Sequence, residues 1–147
     1  MSTAEGQAPH HTAPPEVPPR MLPPLTDTNR AFWTGGADGQ LLIQRCVTCR
    51  RWVHPPQATC PDDGGALVAE PVSGLGTVFS FTINRHVYNP AVPPPYVIAI
   101  VELDEQAGLR FTTNIVNCAP EAVTMEMPVR VVFDQHGEVF VPVFEPA

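Results

Sequence analysis

The chain has 147 residues with 8 basic and 15 acidic side chains, a formal charge of −7 at pH 7; this is room for one ordinary domain, or for a compact domain with a small module. Every basic residue is an arginine, so the polypeptide has no lysine amine to form a Schiff base, and the acidic balance argues against free nucleic acid or an anionic membrane surface as the main partner. No apolar run approaches the roughly 18 residues of a membrane span, and the N-terminus lacks the hydrophobic stretch of a secretory signal, which fits a cytoplasmic protein.

Residues 1–24 are rich in Pro, Ala and Glu and have almost nothing to bury. Such a composition predicts a disordered or linker tail, in which His10 and His11 are ordinary linker sequence. "PPLTDTNRAFWTGG" then reads as a short helix. Thr26 or Asp27 caps it, Phe32 and Trp33 form its apolar side, and Gly35 and Gly36 stop it. The helix is too short to bury both aromatics in a core of its own, so they are expected to dock on the domain or on another protein. "GQLLIQRC" reads as a strand leading into the first cysteine pair.

Cys46-x2-Cys49 has the spacing of a metal knuckle, and Cys60 opens a second turn, "CPDDGG", with Pro61 and Gly64 suited to it. Asp63 stands where a second C-x2-C pair would place its last thiolate. A carboxylate conserves the charge, and zinc accepts an oxygen at about 2.0–2.2 Å without a geometric preference to violate. Asp62 is a worse-placed rival, and His54 is an alternative fourth ligand if the intervening hairpin folds back. With all four positions filled and no acid or base paired with them, the expected metal is a structural zinc on Cys46, Cys49, Cys60 and Asp63. It staples a module too small to hold itself together. Cys118 stands apart as a spare thiol.

From Gly74 onward the pattern turns to alternating strands: "GTVFSFTINRHV", "YVIAIVEL", "LRFTTNIVN", "MPVRVVFD" and "GEVFVPVF". Gly74 and Gly76 lie where a barrel needs a bend, and the proline-rich "NPAVPPP" joins the first two strands. Five short strands in about seventy residues favour a closed barrel, which leaves no edge to protect. The expected fold is mainly β: a short helix and zinc ribbon over residues 25–70, then a five-stranded barrel over 71–147. No phosphate loop, zincin helix or nucleophile elbow is present, and no pair of acids qualifies as general acid and base. No catalytic residue is therefore assigned. Arg85, His86 and Tyr88, at a strand end beside the proline loop, form an interface or substrate-channel candidate, as do Phe32, Trp33 and Trp52.

The order of "FWTGGADGQLLIQRCVTCRRWVHPP", "CPDDGG", "GTVFSFTINRH", "PPYVIAIVELDE", "TTNIV" and "MPVRVVFD" resembles the family catalogued as domain of unknown function 35, acyl-CoA-associated proteins with a rubredoxin-like zinc ribbon and an OB-fold. The resemblance runs from about residue 25 to the C-terminus. The chain departs from it at Asp63, where the usual ribbon has a cysteine, and at Glu126, where glycine is common. The resemblance implies a non-catalytic accessory subunit of a thiolase-like steroid aldolase in cholesterol catabolism, assembled two plus two. That partner releases propionyl-CoA from a steroid side-chain thioester by a retro-aldol step and binds most of the acyl-CoA. It also implies a MaoC-like hydratase domain ahead of the N-terminal linker. The competing classes are a nucleic-acid-binding module carried by Arg45, Arg50, Arg51 and Arg85, and an acyl-CoA hydratase-associated domain.

Overall fold

The computed structural model describes residues 20–147; most of the expected linker, with His10 and His11, lies outside the described residues. The end of that tail is anchored rather than loose. The Arg20 guanidinium donates to Asp134 Oδ2 at 3.0 Å and to Asn114 Oδ1 at 3.3 Å, and Leu25 packs beside buried Val139, Val141 and Val143.

Thr26 closes the turn leading into the first helix, whose N-cap position is Asn29 rather than Thr26 or Asp27. Thr26 Oγ1 accepts the Asn29 N–H at 3.2 Å, while Asn29 Oδ1 accepts the Thr26 N–H at 2.7 Å, the reciprocal arrangement of a capping box. Helix α1 spans Arg30–Thr34 and runs straight into a 3-10 turn, Gly35–Asp38. The α-helix ends with Gly35 as its C-cap, as the glycine pair suggests. The 3-10 turn after it closes at Gly39, in the left-handed region at φ 69°, with its N–H returned to the Gly36 carbonyl at 3.0 Å. The pair also marks close approach: a Cβ on Gly36 would lie 2.4 Å from Phe140 Cβ and 2.6 Å from a Phe133 ring carbon.

Three strands form the ribbon sheet in the order β2 (Trp52–Val53), β1 (Leu42–Cys46), β3 (Leu67–Pro71), all antiparallel. β3 has no counterpart among the strands expected from sequence. "LVAEP" is too short and too mixed to show a period, and it becomes a strand because β1 offers it a full edge from Leu42 to Cys46.

The five expected barrel strands are all present: β4 (Leu75–Asn84), β5 (Tyr96–Leu103), β6 (Arg110–Ile115), β7 (Pro128–His136) and β8 (Val139–Pro146). They close in the order β4-β5-β6-β8-β7, with β7 pairing back onto β4, the closed OB-like barrel. Period-two alternation does the sorting. On β5, Val97, Ala99, Val101 and Leu103 point inward; on β6, Phe111, Thr113 and Ile115 do. The last two strands meet in a two-residue turn, His136 opposite Val139, with Gly137 at φ 63°. Gly76 lies in β4 and not before it. A Cβ there would meet the Glu102 carbonyl at 2.5 Å, so glycine is what lets β4 and β5 close. No helix among the described residues is long and apolar enough to cross a membrane.

The helix and the ribbon root share one core with the barrel. Phe32, Leu41, Ile43 and Trp52 belong to the same buried cluster as Val78, Val101, Phe111 and Phe144. Phe32 is only 6% exposed and Trp52 only 8%; Phe32 docks on the domain, one of the two outcomes expected of it, and neither ring is free to be an exposed interface anchor. The barrel supplies the core that α1 lacks.

Candidate metal centre and adjoining cavity

The two knuckles are near copies of each other. In the first, the Arg50 N–H bonds the Cys46 carbonyl at 3.0 Å and the Cys46 N–H bonds the Arg51 carbonyl at 2.9 Å. In the second, the Gly64 N–H bonds the Cys60 carbonyl at 2.9 Å and the Cys60 N–H bonds the Gly65 carbonyl at 2.9 Å. Arg50 at φ 62° and Gly64 at φ 70° occupy the same left-handed position. The superposition in register makes Asp63 the counterpart of Cys49.

One donor atom from each of Cys46, Cys49, Cys60 and Asp63 lies within 4.8 Å of all the others. Cys49 Sγ and Cys60 Sγ are 3.8 Å apart, and Cys46 Sγ is 3.4 Å from Asp63 Oδ1. Tetrahedral zinc with bonds of about 2.3 Å to sulfur and about 2.0 Å to oxygen would separate its ligands by roughly 3.8 Å and 3.5 Å. The donor set fits the ion. The Gly65 N–H donates to Asp63 Oδ1 at 2.8 Å, orienting the carboxylate as outer partners of a metal ligand do. That same bond, followed by the Cys60 side chain, holds the Asp63 carboxyl below its ordinary range. The Cys49 backbone N–H lowers the Cys46 thiol. The Arg51 N–H favours the Cys49 thiolate, but burial and the crowding of Cys46, Cys60 and Asp63 push that thiol up to about 11. A zinc ion here would favour the deprotonated form of these donors and hold them together.

The rival ligands are accounted for. The Asp62 carboxylate pairs with the Arg51 guanidinium at 2.6 Å. His54 is turned away from the cluster and packs between Phe32 and Phe111, with ring centroids at 4.9 and 5.4 Å. Burial lowers its pKa to about 4, so the imidazole is neutral at physiological pH. Its Nδ1 is buried and has no partner among the described residues.

Trp52 ties the ribbon to the barrel. Arg45 stacks on its ring at 4.6 Å, while its backbone N–H and carbonyl are both held by the Gln106 side chain, at 3.0 and 3.1 Å. Arg85, His86 and Tyr88 stay on the surface. Arg85 pairs with Glu121, and the His86 ring meets the Tyr88 ring edge-on at 4.6 Å with Tyr88 75% exposed. They do not join Phe32 and Trp33, which line a separate cavity of about 520 Å³ with His54, Tyr96, Ile98 and Phe111. Arg20, Asn89 and Asn114 also line it; the segment before the helix, the β4–β5 loop and β6 meet there only through tertiary packing.

All eight arginines are in ion pairs: Arg20 with Asp134, Arg30 with Glu138, Arg45 and Arg50 with Glu70, Arg51 with Asp62, Arg85 with Glu121, Arg110 with Glu102 and Arg130 with Glu145. Each is at least partly neutralised in place, leaving a poor grip for phosphates. This weakens the nucleic-acid reading at the very residues that carried it. Cys118 is half-buried against the barrel core, as expected of a spare thiol.

Two family models match end to end: the ChsH2 rubredoxin-like zinc ribbon domain over residues 33–68, and the ChsH2 C-terminal OB-fold domain over residues 69–134. The chain belongs to the DUF35/ChsH2 family. Among solved structures it is similar to a chain of the "Ltp2-ChsH2(DUF35) aldolase", at 37% identity and a TM-score of 0.74, covering 85% of this chain and 98% of that one. Among curated proteins it is 38% identical, over 95% of its length, to a probable enoyl-CoA hydratase alpha subunit of Thermomonospora curvata, of which it covers 44%. It is 35% identical, over 79% of its length, to the 3-oxo-4,17-pregnadiene-20-carboxyl-CoA hydratase alpha subunit of Mycobacterium tuberculosis, of which it covers 37%. The chain spans less than half the length of these two relatives.

Proposed function

We propose that this chain is a non-catalytic accessory subunit of a thiolase-like acyl-CoA aldolase. It supports retro-aldol cleavage of a steroid side-chain CoA thioester with release of propionyl-CoA. The observation that carries the reading is the match, over nearly the whole of the other chain, to a component of a solved aldolase complex. The pairing of every arginine agrees with it, since the CoA phosphates are then left to the partner. The finer parts of the reading are a cytoplasmic assembly of two plus two chains, and functional units at residues 25–70 and 71–147. The exposed Arg85, His86 and Tyr88 corner is the interface candidate, and residues 1–24 are the linker to a preceding MaoC-like hydratase domain. The zinc knuckle serves as a staple in this scheme.

A second reading, a domain that serves an acyl-CoA hydratase, is favoured by the names of the two curated relatives. One experiment separates them. Retro-aldol cleavage and enoyl-CoA hydration are assayed with this chain alone, with a thiolase-like aldolase alone, and with the two mixed and co-purified. Cleavage that needs both proteins supports the accessory role. Turnover by this chain alone, or full aldolase activity without it, overturns that role.

A further inference from the structure

The cavity of about 520 Å³ is bounded by α1, by the His54–Pro56 corner of the ribbon and by strands β5, β6 and β8 of the barrel. Its volume is in the range of roughly 300–1,000 Å³ typical of small-molecule sites. Interlocked aromatic rings form part of its wall. Phe32 and Trp33 meet edge to face at 4.8 Å, and Phe32 meets Phe111 edge to face at 6.0 Å. The one ionic side chain in the lining, Arg20, is already engaged by Asp134 and Asn114, so no unpaired charge waits for a charged ligand, which would lose its hydration without compensation.

The polar groups that remain are few. Among the described residues the Tyr96 and Thr112 hydroxyls, the Asn89 side-chain N–H2 and the Trp33 indole N–H have no hydrogen-bond partner, and His54 Nδ1 is buried without one. A buried bare N–H is the rarer defect in proteins, which places the His54 proton on Nε2 and leaves Nδ1 as the buried acceptor of a ring that lines the cavity. A second cavity of about 430 Å³ shares Arg20, Val92, Tyr96 and Asn114 with the first, so the space extends along the barrel face.

We propose that this cavity binds an uncharged, rigid polycyclic ligand carrying a ketone or hydroxyl, with His54 as its hydrogen-bonding group. The choice of ligand class rests on the function proposed above: the ligand is the ring system of the steroid thioester, held here while its CoA end stays with the partner. Rigid rings suit such walls, because a flexible acyl chain of similar size would lose more rotational freedom on entering.

The test is equilibrium dialysis of the full, zinc-loaded chain against progesterone, a neutral polycyclic ketone, with methyl laurate as the flexible neutral control. Intrinsic tryptophan fluorescence, to which Trp33 in the lining and Trp52 outside it both contribute, gives a second signal. Saturable binding of one progesterone per chain, at least tenfold tighter than methyl laurate, is expected. Val92→Trp, which fills the cavity from the β4–β5 loop, should weaken it at least tenfold, and His54→Phe about fivefold or more. Should Val92→Trp fail to fold, Thr112→Trp fills the space from an exposed position on β6. Absence of saturable binding, equal affinity for methyl laurate, or full affinity in a folded cavity-filled variant overturns the proposal. The two readings fail separately. Steroid binding without any aldolase dependence keeps the cavity site and removes the accessory function, whereas aldolase dependence without steroid binding does the reverse.

Discussion

Replacing Gly36 with alanine separates two physical roles for the glycine pair after α1. If the pair merely ended the helix, an alanine would extend it and gain up to about 1 kcal/mol in propensity. The structure gives the opposite sign. The new Cβ would lie 2.4 Å from Phe140 Cβ and 2.6 Å from Phe133 Cδ1. Phe140 Cβ is fixed to its strand and cannot rotate away, so the glycine turn must lift from β8 even if the Phe133 ring leaves its rotamer. Overpacking of this kind costs about 1–3 kcal/mol, and lifting α1 would also loosen buried Phe32. The expected net loss is about 2 kcal/mol. For a chain of this size that lowers the thermal midpoint by roughly 5–8 °C. The assay is thermal unfolding by circular dichroism, with zinc content measured in parallel and expected to hold, since the knuckles are elsewhere. An unchanged or higher midpoint would refute the close-packing argument.

Protein purified without added metal should carry close to one zinc per chain, with three sulfurs and one oxygen in X-ray absorption; Asp63→Ala should lose most of it, and a nitrogen ligand would refute the assignment. Asp63→Cys should retain zinc to a lower pH than the native site, because the softer thiolate binds it more tightly. Glu126→Gly should be neutral or stabilising by up to about 1 kcal/mol: Glu126 sits at φ 63°, a conformation costing a non-glycine residue about 1–2 kcal/mol, offset by the greater freedom glycine gives the unfolded chain. A clear loss in denaturant unfolding would count against that strain. His54, with its pKa lowered to about 4 by burial, binds a proton more readily when unfolded. Stability should therefore fall as pH drops from about 6.5 toward 4, by at most about 3 kcal/mol, and His54→Phe should remove that part of the slope; identical pH profiles for the two proteins would refute it.

The zinc knuckles and the barrel strands were legible because their signals are local. Cys46, Cys49, Cys60 and Asp63 need only their spacing, since two similar tight turns set the donor atoms almost without help from the rest of the chain. The five strands need only alternation, which one buried face imposes on any half-exposed strand. The family resemblance, rather than any local signal, implied a glycine-favoured position at Glu126, which has a positive φ. Long-range packing decided the remainder. Phe32 and Trp52 look unsupported in sequence and are buried because the barrel core reaches them. Gly36 reads only as part of a helix stop, and that it is also a contact point follows from β8 passing beneath it. "LVAEP" becomes a strand only because β1 leaves an edge for it. His54, five residues beyond Cys49, is kept from the metal by stacking against Phe111, a partner 57 positions away in sequence. Spacing along the chain specifies what a short turn can hold; burial, close approach and cavity walls depend on which distant segments arrive, and only the closed barrel brings those together.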